Sequence, residues 1–374
     1  MGIAAPPASP TVPELGTPKH TASRRFDGLV AILSAFFGAG LYLDGWAHVH
    51  GHVDRSFFTP WHAALYSGFL VVAAVIGGTA LAGMRRGLPL RESVPAGYEL
   101  SLLGAGIFLV GGVADMAWHI VFGIEANVDA LFSPTHLILA LGGVLMASGP
   151  FRSAWRRADA GHEAAMPWAA VLSLTVVLSV ITFFLQIAHP LVNPQASGSV
   201  PDLRTFVFYR QALGVSGVII QTAVVMAFVL LAARRFVLPF GALTAILGLN
   251  ALALSFLGRQ VGGLDGGLGL VPAALVAGLL ADTLYAALRA SPLRSSQLGF
   301  RLFAFGVPVV FYLVYFLALA ATTGIWWSIH LWLGSVVVAG ITGWLLSYVA
   351  IPPLGAPTGG ARRSGPPSAG PSPC

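Results

Sequence analysis

The sequence predicts an all-α, polytopic membrane bundle of about ten transmembrane helices, arranged as five hairpins with both termini in the cytoplasm. Three observations carry that expectation. Only 9% of the 374 residues are Asp, Glu, Lys or Arg, against about 25% in an ordinary soluble domain, too few to coat a water-facing surface. Apolar stretches of about 20 residues recur, the length that crosses roughly 30 Å of hydrocarbon as a helix. The basic residues gather after every second stretch, as expected where cytoplasmic loops hold the Lys and Arg excess.

Taken in order, residues 1–26 are rich in Pro, Ala and Thr and contain no apolar run. They read as a disordered cytoplasmic tail and not as a signal peptide. The apolar segments follow at 27–48, 60–84, 97–121, 134–151, 167–189, 206–233, 238–259, 270–290, 300–322 and 326–351. Continuous segments of this length satisfy their own backbone in lipid only as helices, which excludes a barrel. Residues 353–374 are again Pro, Gly and Ser without aliphatics and read as a second disordered cytoplasmic tail. By organisation, 27–151 forms a duplicated hairpin region and 152–352 the remaining helices.

Sixteen of the 20 Lys and Arg fall on one side of these segments, from Lys19, Arg24 and Arg25 through Arg85, Arg86, Arg152, Arg156 and Arg157 to Arg362 and Arg363. The net charge of +6 is therefore a topology signal, and no nucleic-acid partner is expected from it. Both ends are placed inside, in a bacterial inner (cytoplasmic) membrane. The one cysteine, Cys374, supports neither a disulfide framework nor a thiolate metal site. His20 and His162 map to the inner side. His48, His50, His52, His62, His119, His136, His189 and His330 map to outer helix ends or loops, at the level of Trp46, Trp61 and Trp118.

The first two hairpins repeat one pattern. Gly40, Asp44 and His48, then Phe58-Thr59-Pro60, His62 and Gly68, are matched by Gly111, Asp115 and His119, then Phe132-Ser133-Pro134, His136 and Gly142. Asp and His four apart lie on one helix face. Thr59 and Ser133 suit N-caps, with Pro60 and Pro134 at the first helical position. The glycines permit close helix approach. Each hairpin thus offers Asp-His-His at one depth, a nitrogen and oxygen donor set suited to copper or zinc, with iron possible. The candidate metal ligands are Asp44, His48, His62, Asp115, His119 and His136, as two mononuclear sites or one dinuclear site. The plainer alternative is a hydrogen-bonded structural pair copied with the hairpin.

Accessory candidates are His50, His52, Glu125, His189 and His330, with Asp54 and Asp129 as outer-loop acids. Asp282, with Asn250 as a possible neighbour, is an acid inside an apolar segment and a candidate for an ion or proton path, or for an ion pair with Arg289.

The Asp-x3-His with a histidine on the next helix resembles the membrane copper site in the C subunit of the particulate methane and ammonia monooxygenases. The resemblance covers residues 40–68 and, through the repeat, 111–142. It implies ligand roles for Asp44, His48 and His62 and for their counterparts Asp115, His119 and His136, and partner membrane subunits; that subunit has no tandem duplicate. The helix-end pattern also resembles bacterial multipass membrane proteins of unassigned activity. In its outer-face histidines beside an acid the chain is similar to heme A synthase, which implies haem, with His48, His62, His119 and His136 as axial ligands, as the alternative cofactor. The function expected is metal handling or membrane redox chemistry, alone or with an extracytoplasmic metal carrier. The alternatives are a haem protein, a metal-dependent oxygenase or hydrolase acting on a lipophilic substrate, and a transporter.

Overall fold

The computed structural model describes residues 21–52, 57–125, 128–158, 164–201, 204–258 and 268–352. His20, Asp54, Arg55, His162, Arg259, residues 1–20 and the C-terminal tail lie outside them; of the N-terminal segment expected to be a tail, Thr21 bridges Ala96 and residues 24–26 already belong to the first helix. Each of the ten apolar segments forms a helix: α1 (Arg24–Val49), α2 (Pro60–Arg85), α3 (Glu99–Phe122), α4 (Pro134–Ala147, prolonged past Ser148 by Gly149–Arg157), α5 (Trp168–Phe184), α6 (Arg204–Arg235), α7 (Ala242–Leu257), α8 (Val271–Ala290), α9 (Gln297–Thr322) and α10 (Ile329–Ala350). Among the described residues, β structure is limited to a two-residue parallel pairing of Ala164–Ala165 with Phe236–Val237 and to two isolated bridges.

Eight of these helices are long and apolar enough to cross a membrane. At most half of the apolar window in each is buried inside the protein. The outward faces carry side chains such as Leu103, Leu109, Val110 and Val113, each more than half exposed. In water that surface would associate; in hydrocarbon it is solvated. The protein is therefore a multipass membrane protein.

α5 and α7 are shorter than expected, at 17 and 16 residues. The chain leaves α5 at Leu185 and tightens into a 3₁₀ turn over Gln186–Ala188 ahead of Pro190, where the residue before a proline is pushed out of helical geometry. α7 begins only after Pro239 and after Gly241, which sits at φ +92°, a left-handed conformation that favours glycine.

The hairpin expectation holds for α1 with α2, α3 with α4, α7 with α8 and α9 with α10, and fails for the third pair. α5 packs chiefly on α1 and α7, and α6 on α10. The long irregular connection between them, with Pro190 and Pro194, lets the two helices part.

Within α1 to α4 the packing has a repeated character. A Cβ on Gly68 would come within 2.6 Å of Phe37 Cα, and one on Gly142 within 2.6 Å of Phe108 N, so each hairpin closes to backbone contact at the matching place. Phe37 and Phe108 meet edge to face at 5.3 Å. Asp27 and Tyr98, also 71 residues apart, are joined by a 2.8 Å hydrogen bond from the Tyr98 hydroxyl.

That bond belongs to a polar cluster at one end of the bundle. Buried Asp27 pairs with Arg157, and Arg152 donates to the Gly97 carbonyl and to the Ser148 and Ser101 hydroxyls at 2.8–2.9 Å. The Asp and His residues of the duplicated pattern occupy the opposite ends of the same helices.

Candidate metal centre

Two local devices set the height of the histidines. Thr59 Oγ1 accepts from His62 N at 3.0 Å and Ser133 Oγ accepts from His136 N at 3.4 Å. Each cap satisfies an amide that the helix leaves free and starts α2 or α4 with its proline at the first position. Each of these histidines therefore stands in a first turn, level with the last turns of α1 and α3, which carry Asp44, His48, Asp115 and His119.

The second hairpin closes into a compact group. Asp115 is 2% exposed. His136 Nε2 lies 3.1 Å from Asp115 Oδ1, and His119 Nε2 3.5 Å from Asp115 Oδ2. One donor atom from each of the three residues lies within 4.8 Å of the others, an arrangement that could hold a metal ion. A tetrahedral centre with bonds of about 2.0–2.1 Å has donor-to-donor edges of about 3.3–3.4 Å, the range that the two Nε2 to carboxylate distances bracket. Thr135 Oγ1 donates to Asp115 Oδ1 at 2.7 Å and orients the carboxylate from behind.

Hydrogen bonding fixes the imidazole tautomers. A carbonyl can only accept, so each ring nitrogen bonded to one carries the proton. His48 Nδ1 donates to Asp44 O at 3.0 Å, His62 Nδ1 to Phe57 O at 2.5 Å, His119 Nδ1 to Gly123 O at 3.3 Å, and His136 Nδ1 to Ala130 O. All four rings thereby turn Nε2 away from the carbonyl they bond, the arrangement of a metal-ligating histidine held from behind. Glu125 Oε2 also stands 3.1 Å from His119 Nδ1, a carboxylate behind a histidine.

The first hairpin is looser. His62 Nε2 is 3.6 Å from Asp44 Oδ1, and His48 Nδ1 stands 3.9 Å from Asp44 Oδ2. Asp44 and His48 keep 14% and 19% side-chain exposure. The two halves adjoin: the His62 and His119 rings are 6.3 Å apart, and His48 to His62 and His119 to His136 are 6.1 and 5.6 Å. Among the described residues, ten buried side-chain polar atoms lack a hydrogen-bond partner, and five of them are here: Asp44 Oδ1, Tyr66 OH, His119 Nε2 and both Glu125 oxygens. Unsatisfied buried groups cost folding free energy, so their concentration at one place calls for an explanation. A cavity of about 310 Å³ adjoins the cluster, reached by Asp44, His48, His62, Tyr66, Asp115 and His136.

The other candidates lie elsewhere. His50 and His52 are exposed and stack on Trp46, with ring centroids 4.8 and 5.2 Å away. Asp129 is exposed at the head of a one-turn helix, and His330 is exposed in the first turn of α10. His189 is buried in a separate small cavity with Gln221, Asn250 and Tyr312, and its Nδ1 accepts from Leu191 N at 3.1 Å. Asp282 accepts from Leu243 N, Thr244 N and Thr244 Oγ1 at 2.6–3.1 Å. It caps the start of α7 from the neighbouring helix. Asn250 bonds Ser179 and Thr182 instead.

Sequence reasoning passed over Thr135 and Tyr66. Tyr66 is four residues after His62, hence on the same helix face, and that spacing was the available signal. Nothing in the spacing of Thr135 distinguishes it from a spacer. Comparison with known protein families, curated sequences and solved structures finds no match to this chain, and the likeness of the two hairpins to known metal and haem sites rests on their ligand pattern alone.

Proposed function

We propose that the protein is an integral membrane metal-binding protein that holds copper or zinc at the extracytoplasmic face, in metal handling or membrane redox chemistry. One observation carries the reading: buried His119 and half-buried His136 each donate Nδ1–H to a backbone carbonyl and turn Nε2 toward the same buried carboxylate, Asp115. Asp115, His119 and His136 form the tighter set. Asp44, His48 and His62 form a second, more open one, and the matching caps, prolines and tautomers favour an origin by duplication.

A non-haem ion fits better than haem. Two axial imidazoles need a slot for the porphyrin between them, whereas the Nε2 atoms of His62, His119 and His136 face carboxylate oxygens 3.1–3.6 Å away. The Phe57 ring packs against both His62 and His119, at 4.8 and 6.0 Å. With thioethers and thiolates absent from the cluster, an ion bound here takes nitrogen and oxygen donors, as Zn(II) and Cu(II) do. The excess of bases at the opposite helix ends supports placing both termini in the cytoplasm of a bacterial cell. An extracytoplasmic metal carrier or a partner membrane subunit would then reach the site.

The test is elemental analysis of the purified protein against Asp115→Ala and His136→Ala. About one tightly held ion in the wild type, lost in both variants, is expected; negligible metal in all three overturns the reading, and a Soret band would establish haem in its place. A reporter fused after Arg363 tests the orientation, and an extracytoplasmic signal would invert it.

A further inference from the structure

The cavity beside the cluster has two unlike ends. Its body is apolar, walled by Phe37, Leu65, Phe108, Leu139, Val180 and Phe183. One end is polar and is formed by Tyr66 and five of the six candidate ligands, all but His119, with Gln186 and Asn193 also in the lining. At about 310 Å³ it falls at the small end of the range of about 300–1,000 Å³ typical of small-molecule sites, which are mostly apolar with a few placed polar groups.

The chemistry of the polar end narrows the ligand. The Tyr66 hydroxyl is a buried donor without a protein partner. It lies against α3 at Gly112, where a Cβ would stand 3.0 Å from the hydroxyl oxygen and 2.8 Å from the ring. Glycine at this position is what admits it between the two hairpins. Asp44 Oδ1 is a buried acceptor, also without a partner. A head group that accepts one hydrogen bond and donates another satisfies both. A carboxylate head has no donor for Asp44 Oδ1 and would meet its negative charge instead. The apolar body excludes a freely soluble polar molecule.

We infer that the cavity is a binding site for a lipophilic alcohol or phenol, its chain along the apolar wall and its hydroxyl between Tyr66 and Asp44, at the open side of the ion held by Asp115, His119 and His136. The inference rests on the metal-site reading for the ion beside the head group, and on the cavity itself for the ligand class.

The experiment uses the full chain in lipid nanodiscs, labelled with a diazirine-bearing decanol and mapped by peptide mass spectrometry, with metal content measured on the same samples. Labelling is expected on the cavity-lining parts of α4 and α5, competed by decanol or by an alkylphenol and at least tenfold less well by decane or decanoate. Val180→Trp, which fills the cavity from α5, a helix that carries no candidate ligand, should abolish the labelling and retain the metal. Tyr66→Phe should weaken competition by decanol about tenfold, the loss of one hydrogen bond of about 1.4 kcal/mol, and leave competition by decane unchanged. Labelling spread over the lipid-facing helices, or equal competition by decanoate and decanol, overturns the inference. Absence of metal with localised, decanol-sensitive labelling refutes the ion and leaves the ligand site standing, so the two failures are distinguishable.

Discussion

Thr135 donates a 2.7 Å hydrogen bond to Asp115, and the residue at the matching place in the first hairpin, Trp61, instead packs edge to face on Trp46 at 5.8 Å. This difference, with Glu125 behind His119, distinguishes two hairpins that share their caps and ligand order. A hydroxyl behind the carboxylate holds Asp115 toward His119 and His136, while Asp44 Oδ1 is left without a donor. Partners that orient a ligand from behind are worth about 10–100-fold in metal affinity. Thr135→Val, nearly equal in volume, should therefore weaken binding by that factor with the fold intact, as read by competition with a chelator of known affinity. Unchanged affinity would mean that Asp115 needs no orienting partner.

The same asymmetry predicts unequal occupancy. Asp115 is buried and shared between two Nε2 atoms, whereas Asp44 and His48 are partly exposed and more widely spaced. Metal titration of the apoprotein should show a tight first equivalent and a weaker second. Asp44→Ala should remove only the weaker one, and Asp115→Ala the tighter. If both variants lose metal in the same proportion, the two sets act as a single dinuclear centre.

Much of this site is legible in the sequence because helix geometry is periodic and the residues concerned are chemically rare. In a chain with only 9% charged residues, an Asp four before a His at two matching helix ends stands out, and Ser or Thr before Pro fixes where the next helix begins. Asp282 illustrates the limit. A buried acid reads alike whether it conducts ions or caps a neighbouring helix, and only the packing of α8 against α7 shows that its oxygens are taken up by the amides of Leu243 and Thr244. The failed third hairpin has a similar cause: sequence order says nothing of the partner a helix takes when the connection is long, and α6 packs on α10. Asp27 was unremarkable at a helix start until the fold set Arg157 against it.

That pair carries a stability prediction. Asp27 is 1% exposed, pairs with Arg157 and accepts from the Tyr98 hydroxyl at 2.8 Å. Removing one partner of a buried ion pair leaves a charge uncompensated and costs about 3–5 kcal/mol. Because the Arg157 side chain keeps 22% exposure, water offsets part of this, and about 2–3 kcal/mol is expected for Asp27→Asn. Tyr98→Phe should cost about 1–2 kcal/mol as a lost hydrogen bond to a charged group. Both should lower the thermal midpoint in detergent while leaving metal content at the far end of the helices unchanged. Loss of metal in Asp27→Asn would show that the two ends are coupled.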